Sequence, residues 1–228
     1  MKIKHGFGLR AHDLNALFDK TNKIQTFMTK LEKQSLIDPI RYDSNKYLGD
    51  GFEFLVEILL KSHAYDNRFG ITNYEPVQSD DTGVDGFGVN LAGDKCVVQV
   101  KYRSNTKSFL TANVDKLSNM FSSAQTKYGI SSINSEIETL RNNVSLIGEK
   151  KVIKRIKELE ESQKIKRHYV ITTASGLHNF TDVDMYKNQV ICIGYDHLRS
   201  CLDNNISFWD LCREVSKEIV ESKTKVVS

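Results

Sequence analysis

Apolar residues fall at helical spacing between residues 11 and 36, where Leu14, Leu17, Phe18, Ile24, Phe27, Met28 and Leu31 predict one or two helices ahead of the core. Beyond a loop at Pro39, Leu48, Phe52, Leu55, Val56, Leu59 and Leu60 draw a second helical stripe over residues 46–64. Runs rich in β-branched and apolar residues follow at 69–77, 84–91 and 96–102 and predict three strands. The turn signal Ala92-Gly93-Asp94 joins the last two into a hairpin. A helix is expected over about 111–127, with Val114, Leu117, Met120, Phe121 and Ala124 at core spacing. Residues 169–173 (YVITT) and 190–193 (VICI) read as buried strands, and Trp209 as a core anchor for the last helix. Helix and strand alternate, which predicts an α/β fold with helices on both faces of a sheet.

Residues 130–167 interrupt that alternation. They are charged and poor in glycine, and Ile133, Ile137, Leu140, Val144, Val152, Ile153, Ile156 and Leu159 keep helical spacing broken near Leu146-Ile147-Gly148. An inserted helical hairpin is expected there, an arm for DNA or for a second protomer, or else a solvated charged face. The rest divides into a helical extension over residues 1–45 and a domain over 46–220 that carries the insertion. There is no internal repeat and no low-complexity tract.

With 228 residues and 39% apolar content the chain can bury a core of its own. The formal net charge is only +3, but Lys and Arg crowd into residues 150–167, which permits contact with nucleic acid without requiring it. Cys96, Cys192, Cys201 and Cys212 have neither zinc-like spacing nor the density of a disulfide scaffold, so reduced thiols in a cytoplasmic protein are expected. No signal peptide and no membrane span are legible.

The chemistry concentrates in residues 82–102. In a strand, alternate residues share a face, so Gln99 and Lys101 point one way while Val98 and Val100 pack behind them. Asp85 and either the Gln99 amide or the Val100 carbonyl offer oxygen to a hard cation, and Lys101 beside them can hold a water or a phosphate oxygen. The plain alternative is a surface hairpin with solvated side chains. Glu53 falls at the edge of the helical stripe, where it can face a strand, and Glu57 is expected to lie further outward. Against Glu53 stands the spacing Asp50 to Glu53, a capping-box pattern. Glu75 is the second choice for an additional acid, and Asp80 and Asp81 read as turn chemistry. Tyr102, Arg103 and Lys107 follow the strand within reach of phosphates, and Thr172, Thr173 and Ser175 can approach a DNA backbone or simply end a strand. His178 and His197 have no partner at metal spacing.

Three blocks together resemble the PD-(D/E)XK nuclease superfamily, within it the Mrr-like restriction endonuclease domains. Gly51-Phe52-Glu53, with Val56, Leu59, Leu60 and Tyr65, is similar to the opening helix of that family. Gly83-Val84-Asp85-Gly86 is similar to its G-[IV]-D-G strand start, and Gln99-Val100-Lys101 to its QxK variant of the (D/E)xK motif. The likeness runs from about residue 51 to 215; residues 1–45 and 130–167 have no counterpart. It implies a restriction-endonuclease-like mixed central sheet flanked by helices, and a Mg²⁺- or Mn²⁺-dependent endonuclease acting on double-stranded DNA. A homodimer, or a helicase or larger restriction assembly, would be its protein partners. Asp85 would be the chief metal ligand, Gln99 a weaker one and Glu53 a ligand directly or through water. Lys101 would position the attacking water or stabilise the phosphorane. Gln99 departs from the acidic consensus and brings less charge to a metal. The competing expectations are a catalytically weak DNA- or junction-binding module and a non-enzymatic partner-binding protein.

Overall fold

In the computed structural model, which describes residues 3, 9–37, 43–62, 70–77, 83–111, 124–125, 133–178 and 189–227, the first apolar stripe forms α1 (Ala11–Phe18) and α2 (Ile24–Ser35). The second forms α3 (Ser44–Lys61). Its N-cap is Asp43, whose carboxylate accepts from the Asn45 and Lys46 N–H groups at 2.8 and 3.3 Å. This overturns the capping-box alternative. Asp50 lies inside the helix, where backbone N–H groups already have helical partners, and it meets Lys46 one turn back at 3.6 Å. α2 crosses α3 so closely at Gly51 that a Cβ there would collide with the Leu31 side chain.

The strands are β1 (Ile71–Pro76), β2 (Gly86–Asn90), β3 (Lys95–Lys101), β4 (Phe109–Thr111), β5 (Arg167–Thr172), β6 (Gly176–His178) and β7 (Val190–Ile193). Five of them form a mixed sheet in the order β1-β2-β3-β5-β7. The β1–β2 and β2–β3 pairs are antiparallel, and β3–β5 and β5–β7 are parallel. The predicted hairpin is present: Asn90 Oδ1 accepts from the Ala92 and Asp94 N–H groups at 3.0 and 2.8 Å, and Gly93 takes a left-handed φ of 83°. β4 and β6 pair in parallel as a separate small sheet. β5 is buried continuously from His168 to Thr172, as a parallel strand covered on both faces must be.

One face of the sheet presents Cys96, Val98, Val100, Tyr169, Ile171 and Ile193 to a core shared with α1, α2, α3 and the two C-terminal helices, α7 (Tyr195–Leu202) and α8 (Ile206–Val227). The helices of the extension thus belong to the same core as the strands. Trp209 anchors it as expected: it is fully buried, its indole N–H donates to the Leu202 carbonyl at 2.7 Å, and Phe18, Phe27 and Phe208 surround it. On the other face Val170 and Val190 pack with Leu110, Ala174 and Leu177, beneath the small sheet. The helix expected over 111–127 lies mostly outside the described residues, and Thr111 at its start belongs to β4 instead.

The insertion is helical, with α4 (Asn134–Asn142), α5 (Val144–Ile147) and α6 (Glu149–Gln163). It breaks at Gly148, whose φ is 91°, where the sequence places the break. Ile133, Ile137 and Leu159 make a small core of their own, while Arg155 meets Glu136 and Glu158 at 3.7 and 3.6 Å on the exposed side. The four cysteines are free thiols. Among the described residues no helix is long and apolar enough to cross a membrane.

Candidate active site

Asp85 stands just before β2 and is held on both sides. Its N–H donates to the Val98 carbonyl at 2.9 Å, and its own carbonyl accepts from Val77 N–H at 3.0 Å and from the Tyr74 hydroxyl at 3.4 Å. The carboxylate does what the next backbone carbonyl of a ladder would do: Asp85 Oδ2 accepts the Val100 N–H at 2.6 Å. Lys101 Nζ lies 3.9 Å from that same oxygen, too far for a hydrogen bond and close enough for a charge to be felt. Lys101 is about one-third exposed along its side chain, so solvent reaches the pair.

Gln99 shares the face of Lys101, as the alternation predicts. Its Nε2 donates to the Gly83 carbonyl at 2.9 Å, which directs the amide oxygen away from that loop. Gly83 has a φ of 72°, and a Cβ there would stand 3.2 Å from Nε2. A side chain at this position would strain the backbone and crowd the glutamine.

Glu53 approaches Lys101 from α3. With Leu48, Val100, Lys101, Tyr102 and Arg103 it lines a cleft of about 360 Å³ between α3 and the end of β3. Glu75 sits exposed on β1 opposite Phe87, two strands from Lys101, so of the two acids it is Glu53 that shares a cleft with the lysine. Glu57 is not outward, as its helical angle suggests. It is fully buried and bonded to Lys61 Nζ at 2.7 Å, because α3 is covered by α2, β1 and β3 around most of its circumference. Burial raises the Tyr74 phenol well above its ordinary pKa, and the carboxylates of Asp85, Glu57 and Glu53 push it the same way.

The flanking residues divide. Arg103 and Lys107 are exposed. Tyr102 is not available to a phosphate: it is buried against Phe52, and its hydroxyl donates to Glu32 Oε1 at 2.8 Å. Thr173 is likewise corrected from a DNA contact to an internal support. It is fully buried, and its hydroxyl donates to the Arg103 carbonyl at 2.8 Å and accepts the Arg103 N–H at 2.6 Å. Ser175 is exposed, with its hydroxyl donating to the Thr106 carbonyl at 2.8 Å. Asp80 and Asp81 lie outside the described residues.

Among the described residues no group of three or more His, Cys, Asp or Glu side chains gathers at one point. Glu53 and Val100 line the cleft, while the Asp85 carboxylate, bonded to the Val100 N–H, and the Gln99 amide stand beside it on the hairpin as further oxygen donors. Such a sparse set suits a hard cation that keeps several of its waters, as Mg²⁺ does. Tyr74 is the site residue that sequence reading passed over. The signal was the pair Gly86 and Gly88 on one face of β2, which leaves a hole only a large side chain on β1 can fill; a Cβ on Gly86 would collide with the Tyr74 ring. No family model matches this chain, and neither a curated protein nor a solved structure matches it.

Proposed function

We propose that this chain is a metal-dependent endodeoxyribonuclease of the PD-(D/E)XK superfamily, Mrr-like, built on a restriction-endonuclease-like fold and acting on double-stranded DNA. The observation that carries the proposal is the Asp85 carboxylate, pinned to the Val100 N–H at 2.6 Å with Lys101 Nζ 3.9 Å from the same oxygen. An acid at the start of a hairpin and a lysine at the end of its second strand are the two parts that hydrolysis of a phosphodiester needs first.

Asp85 and Glu53 would hold Mg²⁺ or Mn²⁺, with the Gln99 amide oxygen and the Val100 carbonyl as neutral donors. The bound ion would acidify a water and offset charge on the phosphate. Lys101 orients that water or stabilises the charged phosphorane, from a position 3.9 Å from the Asp85 carboxylate. Arg103 and Lys107, exposed beyond β3, hold flanking phosphates. Cutting both strands with one such site per chain is simplest for a homodimer, and a helicase or a larger restriction or phage-defence assembly is the natural setting. Free thiols fit a reducing cytoplasm.

One observation favours a second reading. Residue 99 is a neutral amide and the described acids number fewer than three at the cleft, which suits a nuclease fold that binds DNA or junctions and cuts weakly. Plasmid incubated with the protein separates the two. Cuts that need Mg²⁺ or Mn²⁺, stop with EDTA and vanish in Asp85→Ala with the fold intact support the nuclease. Retarded DNA with no cuts under either metal supports the binding module, and cutting by Asp85→Ala at the parent rate removes this site from consideration.

A further inference from the structure

β5 ends at Thr172 and runs on into Thr173-Ala174-Ser175, and three hydroxyls in this run bond the backbone where β3 ends and the segment beyond it. Thr172 Oγ1 donates to the Lys101 carbonyl at 2.7 Å, the Thr173 hydroxyl takes both backbone groups of Arg103, and the Ser175 hydroxyl and N–H donate to the Thr106 and Ser108 carbonyls, each at 2.8 Å. Thr172 and Thr173 are fully buried. The register shows why side chains are needed. β3 and β5 pair as far as Lys101 and Thr172, and one more step of a parallel ladder would give Arg103 its partners from β5 backbone. β5 turns away there: the Ala174 carbonyl accepts from Tyr195 N–H at 2.8 Å, and Gly194 packs so tightly on Ser175 that a Cβ would meet its carbonyl. The Thr173 hydroxyl supplies both missing partners, and the backbone that carries Lys101 and Arg103 leaves the sheet in one fixed direction.

We propose that Thr172, Thr173 and Ser175 are positioning residues, a hydroxyl clamp that aims Arg103 at the phosphates of the substrate. Thr173 is its principal member. The inference rests on the nuclease reading and explains why this strand ends in hydroxyl residues that do not themselves face the cleft. Arginine carries much rotamer freedom, and a backbone already locked at both N–H and C=O reduces what must be ordered when a phosphate arrives.

Thr173→Val keeps the shape and removes both bonds, and Thr173→Ser keeps both bonds. Expected for Thr173→Val are a raised KM for duplex DNA with kcat near that of the parent, and a salt dependence of binding flattened by about one unit of slope, as for Arg103→Gln. Binding is read by fluorescence anisotropy in EDTA, so that no cutting intervenes. Combined with Arg103→Gln, the valine should add nothing further, because the two act on one contact. Thr173→Ser should restore the parent's values. Amide exchange at Arg103, slow in the parent and in Thr173→Ser and fast in Thr173→Val, reports the clamp without any activity. Ser175→Ala, an exposed change that threatens the fold less, should shift KM and salt slope the same way by a smaller step. A folded Thr173→Val with the parent's KM and slope, or additivity with Arg103→Gln, overturns the clamp. A parent protein that neither binds nor cuts DNA overturns the nuclease reading itself, and is seen before any variant is made.

Discussion

α3 serves two neighbourhoods of opposite character. On one side Phe54 meets Phe18 edge-on at 5.8 Å, and Phe18 and Phe27 flank Trp209 at ring distances of 6.4 Å, with all four side chains fully buried. On another side Glu53 faces Lys101 and Arg103 across a solvent-filled cleft, and Asp85 and Lys101 keep 18% and 37% of their side-chain exposure. In the aromatic base each group is satisfied by packing, with the one polar atom, the Trp209 indole N–H, bonded to a carbonyl. In the cleft, charges are drawn together and left within reach of water. Stability is concentrated in the first and the proposed chemistry in the second, so the two should fail separately when residues are removed.

The largest effect should come from the base. Trp209→Ala is expected to lower the unfolding free energy by about 3–5 kcal/mol, through lost burial, the cavity left behind and the lost indole hydrogen bond to the Leu202 carbonyl. Urea denaturation followed by circular dichroism measures it, and a loss below about 1 kcal/mol would mean that the base is not the seat of stability. In the cleft, Lys101→Ala should reduce turnover by about two to four orders of magnitude and leave the urea midpoint nearly unchanged. A variant that unfolds as readily as Trp209→Ala would erase the distinction between the regions.

Acid offers a graded test. His168, fully buried on β5 opposite Val97, is pushed by burial down to about 3. The unfolded chain protonates this residue near pH 6.5, and the folded chain does not until about pH 3. Folding therefore favours the neutral form between about pH 3 and 6.5, and stability falls by up to about 1.4 kcal/mol per pH unit as pH drops through that range. His168→Gln should lose that slope between pH 6 and 4, relative to the parent, with plasmid cutting at neutral pH retained; equal slopes would place the acid lability elsewhere. In the arm, Leu159→Ala should cost about 1–2 kcal/mol locally, seen as faster amide exchange in α4 and α6 with the global midpoint held. The smallest effect belongs to Arg155→Gln. Its pairs with Glu136 and Glu158 are exposed, so stability should move by less than about 0.5 kcal/mol.

Much of the candidate site was legible because it is local. Asp85, Gln99 and Lys101 lie within one hairpin, and strand alternation alone puts Gln99 and Lys101 on one face. The break at Gly148 and the anchoring by Trp209 were legible for the same reason, a glycine in a helical pattern and one large aromatic in an apolar helix. Glu57 was misread because helical angle ranks positions around one helix and says nothing of how many neighbours will cover it. Tyr102 and Thr173 were misread because a polar atom following a strand looks exposed until its partner is known, and the partners Glu32 and Arg103 lie 70 residues away.

By itself, then, the sequence determined the elements, their order and the chemical types at the hairpin, since periodicity and turn residues act over a few positions at a time. The tertiary structure decided which strands neighbour each other and thus that β5, more than sixty residues after β3, lies beside it in parallel. It decided that Glu53 and not Glu75 shares the cleft of Lys101, and that the Thr173 hydroxyl, just past β5, turns inward to hold Arg103. Those outcomes depend on which surfaces meet once apolar area is buried and every backbone donor has found an acceptor, and no local pattern encodes that meeting.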